Sequence, residues 1–372
     1  NSKLGGGRLL IKAESLQTTG SFKYRGALHR LLKLREEVPS SAKRGVVAFS
    51  SGNFGQALAA AATTLGIKCV IVSPHDAPSI KLDRIAAYGA DLRISTAPHG
   101  TNREAVASAM AKQFSEDEGL TLLHPFDDAH VIHGQGTIGV EFLQQACDTL
   151  NGNEGSGQKK GKPPLRTIDS IVVPCGGGGM VAGINLAVDA LQGENSRMTS
   201  VMTVEPTGYD DHSRSFAASH RLSLAEIYTA DNDDDNTPPS SHSSVSVSET
   251  EKYPISPPKS KSKACDALMA AAPGQITWSV NGPRLSGAVA VKDDDSVYNA
   301  MKVAFDYYRL VLEPSGALGL AAVLDGLEKS VSGNSDDGPV LPPGRVVGVI
   351  ACGGNTDLDT YADMVGYQPK KG

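Results

Sequence analysis

Lys23 stands between two aromatic residues, Phe22 and Tyr24, with Gly20 and Ser21 ahead of it and Arg25 behind it, in the string SLQTTGSFKYRGAL. An amine held out of water beside a second cation has a lowered pKa and becomes a nucleophile toward aldehydes. For any single lysine the plainer alternative is a surface residue at a helix start. A second string, IVVPCGGGGMVAGINLAVDAL, reads as a buried strand, a glycine run from Gly176 to Gly179, and a helix whose free N–H groups and dipole favour an anion. Without side chains there the backbone can wrap a phosphate closely, although glycine runs also make tight turns. The spacing excludes a dinucleotide fingerprint, which needs glycine where Val181 or Ala182 stands, and a Walker A loop, which needs Gly-Lys-Ser/Thr. What remains is a small phosphorylated cofactor beside an amine suited to aldehyde chemistry.

The elements that must position these groups alternate along the chain. From residue 45, short β-branched runs (RGVVAFS, KCVIVSP, DLRIST) alternate with helical segments (QALAAAATTLG, KLDRIAAYG), and a second set follows with TIDSIVVP, VAGINLAVDALQ, MTSVMTVEP and RVVGVIACGG. That alternation predicts βαβ units and two open, twisted α/β sheets of mostly parallel strands with flanking helices. Ligands of such sheets bind at the carboxyl ends of strands, where the glycine clusters fall. Three stretches rich in Ser, Pro, Gly and charge, 151–164, 231–263 and 330–344, are expected to be disordered insertions; the middle one could instead be a phosphorylation or docking segment.

A chain of 372 residues can bury the cores of two domains. The net charge of −6 lacks the basic excess that tracks a phosphate backbone, so no nucleic-acid partner is expected. Five scattered cysteines without a CxxC pair suggest neither a disulfide framework nor a zinc site, and fit a reducing, cytoplasmic setting. The nine histidines show no HExxH spacing. No apolar run is long enough for a membrane span, and the first residues have no signal-peptide layout.

Six ordered motifs together resemble the fold-type II pyridoxal-phosphate enzymes, specifically the serine/threonine dehydratase and serine racemase family, over nearly the whole chain. They are ESLQTTGSFKYRGA, SSGNFGQAL at 50–58, HPFDD with GQGTIGVE, VPCGGGGMVAGI, LEPSGALGLAA and CGGNTD. The resemblance implies a fold similar to the tryptophan synthase beta subunit. It implies a large cofactor-binding domain from 1–45 and 140–372, and a small domain, 46–139, that closes over substrate. Lys23 would hold pyridoxal 5'-phosphate through its amine, Phe22 would lie against the ring and Asn53 would bond the ring 3'-oxygen. Gly176, Gly177, Gly178 and Gly179 with Met180 would hold the phosphate. Cys352 would face the pyridine nitrogen as a neutral partner, which suits prompt loss of a β-hydroxyl.

The loop Ser50, Ser51, Gly52, Asn53 and Phe54 would receive the substrate carboxylate; a helix N-cap explains one of its hydroxyls equally well. Glu205, Asp211 and the carbonyl of Tyr209 fall where relatives bind a divalent cation, and oxygen ligands suit Mg²⁺ or Ca²⁺. A solvated acidic loop is the alternative.

The implied reaction is α,β-elimination from L-serine or L-threonine, with Lys23 as the base. Ser51 matches the opposite-face acid of the racemase, so serine racemisation is the second reading. A catalytically silent metabolite-binding or scaffold protein of the same fold is a third, from a different class. The substrate would be a small hydroxy-amino acid and the assembly a homodimer. His133 departs from the small residue usual before GQGT, and could narrow the site or point away. The N-terminus is expected to be shortened, and no regulatory domain is expected after Gly372.

Overall fold

A strand buried on both faces is apolar at every position, whereas its side chains still alternate between the two faces. The computed structural model, which describes residues 7–50, 52–75, 77, 79–96, 103–151, 167–193, 198–223, 226–227, 262, 264–270, 272–332 and 344–367, shows both properties. The expected insertions lie outside the described residues, apart from Asn151, Ser262, residues 330–332 and Gly344.

The elements run β1 (Arg8–Ala13), α1 (Lys23–Glu37), α2 (Pro39–Arg44), β2 (Val46–Phe49), α3 (Asn53–Leu65), β3 (Cys69–Pro74), α4 (Ser79–Ala87), β4 (Asp91–Ser95), α5 (Arg103–Glu118), β5 (Thr121–Leu122) and α6 (Ala129–Asn151). They continue with β6 (Ser170–Pro174), α7 (Gly179–Gln192), β7 (Ser200–Pro206), α8 (Asp211–Ala218), α9 (Gln275–Asn281), β8 (Gly287–Val291), α10 (Asp294–Val303), α11 (Pro314–Ser332), β9 (Val346–Ala351) and α12 (Leu358–Met364).

Two sheets result, ordered β4-β3-β2-β5 and β1-β9-β6-β7-β8. Every pairing between these strands is parallel. In β9, Val346 and Ile350 enter the core on one face and Val347, Val349 and Ala351 on the other. In β2 and β3, Val46, Ala48, Cys69 and Ile71 face one cluster, while Val47, Val70 and Val72 face the other. Both sheets are thus sandwiched by apolar layers, as the unbroken apolar runs require.

The helices that carry the glycine motifs touch backbone to backbone. A Cβ on Gly183 of α7 would lie 2.5 Å from the Gly136 nitrogen and the Ile132 carbonyl oxygen of α6. In the same way a Cβ on Gly134 of α6 would lie 2.6 Å from the Arg25 carbonyl oxygen of α1. Two of the motif glycines therefore bring α1, α6 and α7 together around the start of α1. No helix among the described residues is long and apolar enough to cross a membrane.

Gly183→Ala forces backbone against backbone, where no side chain can yield. It should destabilise the fold by about 1–3 kcal/mol, the cost of an overpacked contact, read as a lower urea midpoint.

Candidate active site

Loops following the carboxyl ends of β2, β6, β7 and β9 carry the residues selected from sequence. Lys23 reaches this rim because β1 pairs with β9 from Arg8–Val346 to Ala13–Ala351, so the chain leaving β1 runs beside the loop leaving β9. Phe22 N donates to Cys352 O at 3.1 Å and Gly354 N to Gly20 O at 2.9 Å. Asn355 Nδ2 donates to Thr19 O at 2.8 Å. Thr19 and Gly20 adopt φ of 65° and 73°, and this left-handed turn leads directly into α1, whose first residue is Lys23.

The Lys23 amine donates to Pro125 O at 3.1 Å and lies 5.1 Å and 5.9 Å from the ring centres of Phe22 and Phe54. The residue keeps some exposed surface, but its amine is enclosed, and burial pushes its pKa down to about 8. The neighbouring cation expected to assist does not. Arg25 forms two hydrogen bonds to Glu14, both 2.8 Å, and two to Glu141, 2.7 and 2.8 Å, because residues two apart on a helix point in different directions. Desolvation alone lowers the amine.

Cys352 is buried, with its sulfur 3.5 Å from Ser315 O. Burial, reinforced by Glu313, pushes its thiol far up, so it stays protonated and neutral. Asn53, at the start of α3, is held at both ends of its amide: Nδ2 donates to Glu313 Oε1 at 2.6 Å, and Oδ1 accepts from Asn355 Nδ2 at 2.8 Å. Glu313 is 2 % exposed, and burial pushes its carboxyl up to about 7.

The glycine run tests whether a phosphate fits. Gly177, Gly178 and Gly179 are buried at the N-terminus of the 14-residue α7, and among the described residues their amides have no backbone partner. Unpaired buried N–H groups at a helix start form an anion cradle. A Cβ on Gly177 would run into the Phe126 ring, and one on Gly178, at φ 88°, would lie 2.5 Å from His212 Nε2, so side chains would fill the space. Thr277 Oγ1 and Asn281 Nδ2 fix the loop through the carbonyls of Gly177 (2.7 Å) and Gly178 (3.1 Å). Met180 packs into the core below. The residues present fit a phosphate beside an aldehyde-seeking amine.

In the loop after β2, Ser50 Oγ accepts from Gly52 N at 3.2 Å and Gly55 N at 3.0 Å. It thus caps α3, which leaves its proton as the only part free to serve a ligand. Ser51 lies outside the described residues. Phe54 is a core side chain, while a Cβ on Gly52 would meet nothing within 4 Å. His133 is exposed on α6, with His29 and His130 at ring distances of 6.3 and 6.2 Å, so it points away from the glycine loop.

Around the expected cation ligands the picture is mixed. Glu205 Oε1 accepts from His212 N at 2.9 Å, and Oε2 from Ser213 N and Oγ at 2.7 and 2.8 Å. Asp211 is buried beside it, and the Tyr209 amide donates to Pro206 O at 3.0 Å. The side chains facing the two carboxylates are Cys175 and His212, neither singled out as ligands from sequence.

Sequence reasoning also passed over Glu313, Asn355 and Phe126 as individual residues. All three sit inside motifs, EPSG, GGNTD and HPFDD, that it did select. Asp127 and Asp128 show why the last motif is rigid. Asp127 accepts from three amides at the start of α9, 2.8–3.1 Å, and Asp128 caps α6 and binds Arg30 at 2.8 Å.

Comparison with known proteins identifies relatives over nearly the whole chain. The serine racemase of Arabidopsis thaliana is 30% identical over 362 residues, covering 97% of this chain and 87% of that protein. The L-threonine ammonia-lyase of Thermotoga maritima is 29% identical over 358 residues, 96% of this chain and 70% of that one. The structure of maize serine racemase superimposes with a TM-score of 0.69 at 29% identity, covering 97% of this chain and 87% of the other. The family described as pyridoxal-phosphate dependent enzyme matches residues 1–341. With that match over most of its length, the chain belongs to the pyridoxal-phosphate-dependent enzymes.

Proposed function

We propose that the chain is a dehydratase of small hydroxy-amino acids, turning L-serine or L-threonine into a 2-oxo acid and ammonia. The observation that carries this reading is the buried, neutral thiol of Cys352 in the loop strapped to Lys23. In the proposed arrangement Gly176–Gly179 and Met180 hold the phosphate, Phe22 lies against the ring and Asn53 bonds the 3'-oxygen. Bound, the cofactor would supply an aldehyde for the substrate amine and a ring that draws charge from the α-carbon.

Lys23 would then take the α-proton, a role that suits an amine whose pKa lies near the working pH. Cys352 would offer the ring nitrogen a thiol that puts no charge beside it, which favours early loss of the β-hydroxyl. Gly52 and the start of α3 would receive the carboxylate. The separate sheets support a large domain of 1–45 and 140–372 with 46–139 closing over the substrate. Five free thiols among the described residues support a reducing, cytoplasmic setting, and a homodimer is part of the proposal.

Serine racemisation is the second reading, favoured by the racemase relatives and assigned to Ser51 as the opposite-face acid. Incubation with L-serine and L-threonine should yield 2-oxo acid in excess over D-amino acid. The reverse ratio, with D-serine formation abolished in Ser51→Ala, would establish the racemase instead. Lys23→Ala should abolish both products and the visible absorption band formed on adding pyridoxal phosphate. If the band persists, the Lys23 assignment falls.

The lowered amine pKa also has a stability signature. Between pH 8 and the ordinary lysine range the unfolded chain holds more protons at residue 23 than the folded one, so stability there rises with pH. In cofactor-free protein, Lys23→Met should therefore raise the urea midpoint below pH 8, with the advantage shrinking as pH increases to about 10. Glu313→Ala releases one end of Asn53. It should weaken pyridoxal phosphate binding about tenfold, the scale of one hydrogen bond, in an equilibrium titration.

A further inference from the structure

Cys175, the residue before the glycine run, meets Glu205 from the end of β7 and His212 from the first turn of α8. One ligand atom from each lies within 4.8 Å of the others, and all three residues are buried. We propose that these residues form a binding site for a divalent transition-metal ion of the zinc class, directly behind the phosphate loop.

Packing alone leaves the cluster unsatisfied. His212 and Asp211 are 0 % and 2 % exposed, yet both imidazole nitrogens and both Asp211 oxygens lack a hydrogen-bond partner. His212 Nδ1 lies 3.4 Å from Glu205 Oε1 and 3.3 Å from Asp211 Oδ2, close but outside hydrogen-bonding geometry. Each such buried group opposes folding unless something binds it. A cation would engage the imidazole nitrogen that faces the carboxylates, with Asp211 or water completing the shell.

The donor types select the ion. Mg²⁺ and Ca²⁺ want oxygen shells, whereas a thiolate, an imidazole and a carboxylate suit zinc or its neighbours. Tetrahedral bonds of about 2.1–2.3 Å place donors about 3.6 Å apart. Glu205 and His212 already match that span, and the sulfur needs to close by about 1.2 Å at most. On binding, Cys175 loses its thiol proton to solvent as the sulfur–metal bond forms. Because His212 Nε2 abuts Gly178, the ion would brace the phosphate loop from behind.

The test uses the holoenzyme, stripped with a chelator, dialysed and titrated with Co²⁺. One Co²⁺ per chain is expected, with a near-ultraviolet sulfur-to-cobalt charge-transfer band that Zn²⁺ abolishes and excess Mg²⁺ does not. Trp278, the only tryptophan and 6.0 Å from the His212 ring, should lose fluorescence in parallel. Cys175→Ser should remove the band, and His212→Gln should weaken Co²⁺ binding roughly 100-fold. Cys265→Ser, which alters a buried thiol elsewhere, should leave the band intact. The proposal is overturned if wild-type protein gives no such band, if the band survives Cys175→Ser, or if Mg²⁺ displaces the cobalt.

Discussion

The pairing of β1 with β9 is the constraint on which the site rests. These strands are neighbours in the five-stranded sheet, although nearly all of the chain lies between them. Their register sets the turn through Thr19 and Gly20 beside the loop 352–355, and two backbone bonds and the Asn355 side-chain amide fasten one to the other. The segments carrying Lys23 and Cys352 are thereby held together, while among the described residues the two side chains make only single hydrogen bonds of their own, to the carbonyls of Pro125 and Ser315. The Arg25, Glu14, Glu141 and Lys12 network braces the same junction from outside, joining β1, α1 and α6.

Within that frame the main electrostatic influence is removal of water. Lys23 is pushed down to about 8 and Glu313 up to about 7, while Cys352 is driven up, and burial leads in each case. All three shifts favour neutral forms. An enclosed site of this kind brings an amine and a carboxyl close to neutral pH, where modest changes in surroundings move protons between them and a substrate.

Much of this was legible in the chain itself. Strands β2, β3, β6 and β9 stand out as apolar runs because both of their faces are covered, and the glycine run announces its loop because its bare backbone leaves few other uses. The strands β1, β5 and β8 carry weaker signals: Lys12 breaks the first, the second has two residues, and the third is only partly buried. Asn53 could be picked out from its motif, but not the amide clamp made by Glu313 and Asn355, since those partners arrive from the far side of the sequence. Arg25 misled for a related reason. Adjacency in sequence placed it beside Lys23, and helix geometry turned it toward Glu14 and Glu141. Cys175 and His212 are single residues in unrelated strings, brought together only when β6 and β7 pair.

The distance along the chain between β1 and β9 bears on how the enzyme is made. Strands β2 to β5 lie within residues 46–122 and can pair while synthesis continues, but β1 must wait for Val346–Ala351 to leave the ribosome before its partner exists. Until then Lys23 is on a tether with no floor beneath it, and Cys352 has not been made. Closure of such a long loop is slow compared with local pairing. In the proposed arrangement a nascent chain would hold no completed site around Lys23, and cofactor capture would belong to the end of folding.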